Sequence, residues 1–208
     1  LGLDRGRFVT VRNACDPEFL DPVDPALFRN HFGIEGPFLL NVGNIEPRKN
    51  QLALIRAARA VGVPLLMLGR VRSEEYAAAC RAEAGDLARH LGALDHDDPL
   101  LRSAYAACDA FCLPSSLETP GRAALEAAAA GARLVITTEG STREYFGDAA
   151  LYVDPTNETD IAQKIAAALA APRTPALRQR IAADFTWDRA LAPLSGLYHA
   201  LGAEDAER

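Results

Sequence analysis

From Pro37 onward, short apolar runs alternate with longer stretches that carry a helical period. The runs are FLLNVG (38–43), PLLMLG (64–69), ARHLG (88–92), DAFCLP (109–114), RLVIT (133–137) and ALYV (150–153). Each is long enough for one strand and too short for a helix. The intervening text reads as helix. In RKNQLALIRAARAVG (48–62), Leu52, Ile55 and Ala58 share a face, and in 157–171 Ile161, Ile165, Ala168 and Leu169 form an apolar stripe. A further helix is predicted to open at Pro120–Gly121 and close at Gly131, where a left-handed cap fits glycine. The last is predicted from Trp187 to about Leu201, with Thr186 as cap and Pro193 bending it. Strands alternating with helices predict right-handed crossovers and an α/β fold, a Rossmann-like parallel sheet with helices on both faces. In such sheets ligands bind at the carboxyl ends of the strands. The loops after 43, 69, 92, 114 and 137 are therefore the places to search.

Upstream of this rhythm the text differs. LGLDRGRFVTVRN reads as a helix tail, a turn and a strand over Phe8–Arg12, and the proline- and aspartate-rich DPEFLDPVDP reads as a connector. Because Leu1 is not a methionine, the chain reads as one entered partway through a longer protein. Three regions are expected: 1–36 as interdomain strand and linker, 37–186 as an α/β ligand-binding domain, and 187–208 as a terminal helix and tail.

Composition changes this picture only at the margins. Of the 208 residues, 49% are hydrophobic and 24% charged, which is globular and not disordered composition. A formal net charge of −6 argues against nucleic acid as a partner. Cys15, Cys80, Cys108 and Cys112 lack zinc spacing, and most sit in apolar runs. They read as reduced packing thiols, which fits a cytoplasmic setting. Neither a run of transmembrane length nor a signal peptide is evident. Among 22 basic residues only Lys49 and Lys164 are lysines, a bias expected of a GC-rich bacterium.

Two segments carry candidate chemistry. In GNIEPRKN (43–50), Pro47 suits a first helical position, which would put Arg48 and Lys49 in the first turn of a helix. Cations there oppose the helix dipole at ~0.3–1 kcal/mol each, so either both are solvated or an anion lies nearby. In PSSLETPGRAALEAAAAG (114–131), Gly121 leaves a helix mouth open to close approach by a phosphate. Glu118 precedes that helix. Glu126, about two turns along it among alanines, either faces solvent or is buried and needs hydrogen-bond donors.

The second segment resembles the signature of retaining GT-B glycosyltransferases: two glutamates separated by seven residues, behind a strand ending in Pro-Ser. The likeness extends along the chain. GNIEPRKN is similar to that family's phosphate-binding loop, and HLGALDHDDPLLRSAYAACDAFCLPSS to its base-binding loop, helix and strand. EYFGDAALYVDPTNETDIAQKI and FTWDRALAPLSGLY resemble the segments that follow the signature, and VTVRNACDPEFL the interdomain linker.

The resemblance implies the C-terminal, donor-binding domain of a group 1, family 4-like enzyme acting in polysaccharide biosynthesis. The donor would be a UDP-, GDP- or ADP-sugar, transferred with retention and without a metal or other cofactor. Arg48, Lys49 and Glu118 would then act on the donor's diphosphate and sugar. Gly43, Asn44, Thr119, Gly121 and Arg122 would line the phosphates, Ala93 and Leu94 would meet the base through main chain, and Glu126 would hold the ribose. The acceptor would sit on a missing N-terminal domain, and contact with the inner face of a membrane would come only through that domain. Three positions depart from the family pattern: Asn44 where an arginine is common, Pro120 where an aromatic often stands, and Arg122 where the residue is usually apolar. A GT-B sugar-nucleotide epimerase and a non-catalytic sugar-nucleotide-binding subunit are the alternative functions. Asp95-His96-Asp97 spells the Asp-x-Asp of metal-dependent enzymes, but it stands just before Pro99, where Asp97 or Asp98 would cap a helix. His31, His90, His96 and His199 lack ligand spacing, and neither a dinucleotide nor an ATP-loop glycine motif is present.

Overall fold

The apolar runs become six short strands: β1 (Leu39–Val42), β2 (Leu65–Leu68), β3 (Ala88–His90), β4 (Ala110–Leu113), β5 (Leu134–Thr137) and β6 (Leu151–Val153). In this computed structural model residues 8–206 are described, the side chains of 199–206 excepted. The helices are α1 (Ala26–Phe32), α2 (Gln51–Val61), α3 (Glu74–Ala84), α4 (Pro99–Ala107), α5 (Arg122–Ala129), α6 (Thr142–Phe146), α7 (Glu158–Ala170), α8 (Ala176–Asp184) and α9 (Trp187–Ala206). The strands are parallel and ordered β3-β2-β1-β4-β5-β6, with Leu39 of β1 opposite both Leu65 and Ala110. The direction of strand order reverses between β1 and β4, so a crevice opens above their carboxyl ends.

Because side chains alternate along a strand, each strand serves two layers. Leu40, Leu66, Phe111, Leu134 and Ile136 pack with Phe28, Tyr105, Leu125, Leu177 and Ile181 of α1, α4, α5 and α8. Leu39, Leu65, Met67, Ala110, Cys112 and Val135 pack with Leu54, Ile55, Ala77, Ile161 and Ile165 of α2, α3 and α7. Both faces being covered explains why the strands read as continuous apolar runs.

Helix ends follow local chemistry. Asp98 caps α4 by accepting from the Leu100 amide at 2.8 Å, and Asn157 caps α7 by accepting from Asp160. Past α5, Gly131 is left-handed (φ 85°), and the amides of Gly131 and Ala132 donate to Ala128 and Ala127. That is a Schellman closure, as the glycine predicted. All four cysteines are free and buried, and burial raises the Cys15 and Cys108 thiols to about 12. They are packing groups.

The amino-terminal segment departs from expectation. No strand forms over Phe8–Arg12, and Phe8, Val9 and Val11 are exposed. Alternation makes a strand only where an edge accepts it, and the segment runs instead beside the start of α9. Cys15 donates to the Phe185 carbonyl and bridges to Thr186, while the Arg12 guanidinium lies over the Phe185 ring. The expected helix tail before it lies outside the described residues. The connector, by contrast, enters the core: Phe19, in a 3-10 turn over Pro17–Leu20, and Phe28 are buried.

Candidate active site

The crevice is built by three loops that hold one another. After β1, Pro47–Lys49 forms a separate 3-10 turn, and Asn50 adopts a left-handed conformation (φ 57°) before α2 begins at Gln51. Asparagine tolerates that region better than most residues. Its amide nitrogen donates to the carbonyls of Pro114 (3.1 Å) and Pro155 (2.7 Å), pinning the loops after β4 and β6. The Ser116 amide donates to the Arg48 carbonyl at 2.9 Å. Arg48 and Lys49 thus precede α2 and do not open it, which corrects the expected first-turn placement. The kink at Asn50 is the reason.

Lys49 is not solvated, and the anion beside it is a carboxylate of the protein. Its Nζ lies 2.5 Å from Glu118 Oε1, with the two side chains 12% and 5% exposed. Arg48 stands 3.8 Å from the same oxygen, donates to the Leu117 carbonyl at 3.1 Å and pairs with Glu46 at 3.0 Å. A carboxylate of the signature therefore neutralises the cations, an arrangement no linear pattern indicated.

Glycines permit this crowding at three positions, Gly69, Gly121 and Gly140. The Lys49 stem passes Gly43 at ordinary contact distance, a Cβ there resting 3.5 Å from Cε. At Gly69 a Cβ would fall 1.9 Å from the Gly43 carbonyl oxygen, and at Gly140 2.0 Å from that of Glu118. Glu118 is held at its main chain by the Glu139 carbonyl and the Ser141 amide. Gly121 (φ 88°) brings the mouth of α5 against Glu118, since a Cβ there would be 3.0 Å from Oε2. No side chain caps α5, so its leading amides stay available to an anion. Arg122 and Thr119 are exposed, and the Thr119 carbonyl accepts from Asn13 at 2.7 Å. Asn44, half-buried, gives its carbonyl to the Gln51 amide at 2.8 Å.

Five residues along α5, about 7.5 Å of rise, stands Glu126. It is buried, 5% exposed, so the solvent-facing alternative falls. Tyr105 donates to its Oε2 at 2.8 Å, and His96 Nδ1 lies 3.7 Å from Oε1. Burial raises its pKa above the ordinary carboxylate value, against which the Tyr105 hydrogen bond and the nearby His96 and Arg122 act. One of the donors its burial demanded is therefore a tyrosine of the protein itself. Ala93, exposed, and Leu94, half-buried, lie in the same loop as His96, at the carboxyl end of β3.

The structure thus gathers Gly43, Arg48, Lys49, Glu118 and Gly121 at one spot, and Glu126 with the 91–98 loop at a second. Sequence reasoning missed Asn50, Tyr105, Gly69 and Gly140. A lone asparagine between a turn and a helix was the available signal for the first; the others became visible only in contact. Among the described residues, no group of three or more histidine, cysteine, aspartate or glutamate side chains could hold a metal ion, and no helix is long and apolar enough to cross a membrane.

Comparison with known proteins places this geometry. O-antigen chain mannosyltransferase B of Escherichia coli is 32% identical over 168 residues, covering 74% of this chain and 43% of that protein. D-inositol 3-phosphate glycosyltransferase of Geodermatophilus obscurus is 30% identical, covering 99% of this chain and 50% of that protein. Sucrose-phosphate synthase from Thermosynechococcus elongatus superposes with a TM-score of 0.79 at 25% identity, covering 93% of this chain and 52% of that one. The fold is accordingly of GT-B type, and the chain spans about half the length of these relatives, or less. Residues 26–184 match the family described as Glycosyl transferases group 1, so this chain belongs to the group 1 glycosyltransferases.

Proposed function

We propose that the chain binds the nucleotide-sugar donor of a retaining, metal-independent glycosyltransferase whose acceptor site lies outside these 208 residues. The observation that carries this reading is the spacing of two charge types along one helix. Cations and uncapped amides gather at the mouth of α5, and a buried carboxylate with one oxygen free of hydrogen bonds from the described residues stands about 7.5 Å further on, at about 1.5 Å per residue. A diphosphate suits the first and a ribose hydroxyl the second.

Donor binding then requires an exchange of partners. The diphosphate takes Lys49, and Glu118 turns to the sugar. As the bond between the anomeric carbon and the diphosphate oxygen breaks, its electron pair passes to the diphosphate. Lys49, Arg48 and the amides of α5 meet the growing charge, the kind of stabilisation that usually supplies the largest catalytic term. The new bond forms to an acceptor hydroxyl, whose proton leaves with the departing phosphate or solvent. The mannosyl and inositol-phosphate glycosyltransferases among the relatives support a bacterial polysaccharide or glycoconjugate acceptor.

Titration calorimetry with UDP, GDP and ADP, alongside a transfer assay, tests the reading. One of the three should bind, and the 208-residue chain alone should transfer no sugar. Failure of all three to bind would overturn the donor assignment; robust turnover would overturn the division of labour.

A further inference from the structure

We propose that Asn50 is a positioning residue for the donor diphosphate: its left-handed turn and its side-chain amide hold the backbone of Lys49 at the crevice, so that the phosphate end of the site is formed before the donor arrives. The inference rests on the reading of Lys49 as a ligand of the diphosphate.

The loop after β1 carries its cations on a turn that must end before α2 can start. Among the described residues Asn50 is the one non-glycine with a positive φ, 57°. Its amide closes the Pro47–Lys49 turn by donating to the Pro47 carbonyl at 3.0 Å, and its carbonyl accepts from the Leu54 amide as α2 begins. A right-handed residue at this position would run the turn on into α2 and make Lys49 part of the helix.

The side chain fixes this reversal from outside the loop. Nδ2 has two hydrogens, and both of its neighbours, the Pro114 carbonyl at 3.1 Å and the Pro155 carbonyl at 2.7 Å, can only accept. The partners therefore settle which end of the amide faces them, and both of its donors are used. The two posts are themselves anchored. Pro114 directly follows β4, and Pro155 sits in a turn where Asp154 Oδ1 accepts from the Thr156 amide at 2.8 Å and from its hydroxyl at 2.7 Å. None of these bonds involves the Lys49 side chain or Glu118. When a diphosphate replaces Glu118 as the partner of Lys49, the tie through Asn50 persists and the lysine keeps its place. A cation held in position beforehand lowers the ordering cost of binding.

The test uses the 208-residue chain with the best-bound nucleoside diphosphate, the corresponding nucleoside, and inorganic pyrophosphate as a probe of the phosphate subsite alone. Asn50→Gly keeps the left-handed turn at no steric cost and removes both side-chain bonds, whereas Asn50→Ala removes the bonds and also resists the turn. Asn50→Gly should weaken nucleoside diphosphate and pyrophosphate binding about 5-fold, on the scale of one net hydrogen bond, and leave nucleoside affinity unchanged. Asn50→Ala should lose at least as much affinity and melt below Asn50→Gly. Added to Lys49→Ala, Asn50→Gly should cost less than about 2-fold more, because it acts through the lysine. A lowered Tm for Asn50→Gly with pyrophosphate affinity like that of the parent would make the tie purely structural and overturn the proposal. Losses that simply add in the double variant, or a nucleoside affinity that falls in step, would overturn it too. Should Asn50→Gly not fold, Asn50→Ala carries the same comparison; failure of both makes Asn50 a folding residue without a positioning role. If the parent chain itself takes up neither the diphosphate nor pyrophosphate, the donor reading falls, and this inference with it.

Discussion

Replacing either member of the Lys49–Glu118 pair should move stability and anion affinity in ways a solvated lysine would not. At 2.5 Å and an effective dielectric of about 20, the gross attraction is ~7 kcal/mol; Arg48, at 3.8 Å, supplies ~4 kcal/mol more. Most of this only offsets the desolvation of a carboxylate that is 5% exposed. Removing one partner of a fully buried pair typically costs about 3–5 kcal/mol. Lys49 keeps some contact with water and Arg48 remains beside Glu118, so Lys49→Ala should cost ~2 kcal/mol. For a chain of this size that is a fall in Tm of ~4–8 °C. Glu118→Gln should be milder, and the double variant should recover part of the Lys49→Ala loss, because no unpaired carboxylate is left behind. Binding should show opposite signs. Lys49→Ala should weaken nucleoside diphosphate affinity by ~10-fold or more, whereas Glu118→Gln should strengthen it, since the anion no longer competes with a resident carboxylate for the ammonium. Scanning calorimetry and isothermal titration on the four proteins measure both. Lys164→Ala, half-buried on α7 and without an ion pair among the described residues, is the control and should be silent in each. An unchanged Tm for Lys49→Ala, together with weaker diphosphate binding by Glu118→Gln, would refute the partner exchange.

Three further outcomes follow from the same geometry. Burial raises the Glu126 pKa above its ordinary 4.5, so the folded state holds that proton more tightly than the unfolded chain does, and the contribution to stability falls as pH rises through the interval between the two values. Glu126→Gln should therefore gain stability relative to the parent as pH rises above 4.5 and flatten the pH dependence of the unfolding free energy measured by urea denaturation, while losing nucleotide affinity; an unchanged pH dependence would refute it. Gly140→Ala should lose ~3 kcal/mol or more, because its Cβ would fall 2.0 Å from the Glu118 carbonyl oxygen, whereas Gly131→Ala, with open space around it, should lose only ~1–2 kcal/mol by thermal melt. Nucleoside diphosphate affinity should be the same with EDTA as with manganese; a large gain with manganese, abolished by Asp97→Asn, would restore a metal role to the 95–98 segment.

What the linear text determined was the layered α/β fold and the neighbourhood of its crevice. Apolar runs of strand length between helical stretches leave few packings open, and the five carboxyl-end loops to search follow from them, while the choice of β1 and β4 needed the strand order. Capping and closure were legible too, at Asp98 and Gly131, because they depend on residues within a turn of one another. Contacts between distant segments were not. Phe8–Arg12 alternates like a strand, yet strand formation needs an edge, and the edge is a tertiary property. Lys49 and Glu118 are 69 residues apart and His96 and Asp16 are 80 apart, so nothing in local pattern pairs them. Whether a charged residue meets water, a ligand or an opposite charge is decided by what the fold carries to it, and only the assembled crevice made Glu118 the partner of Lys49 and Tyr105 the partner of Glu126.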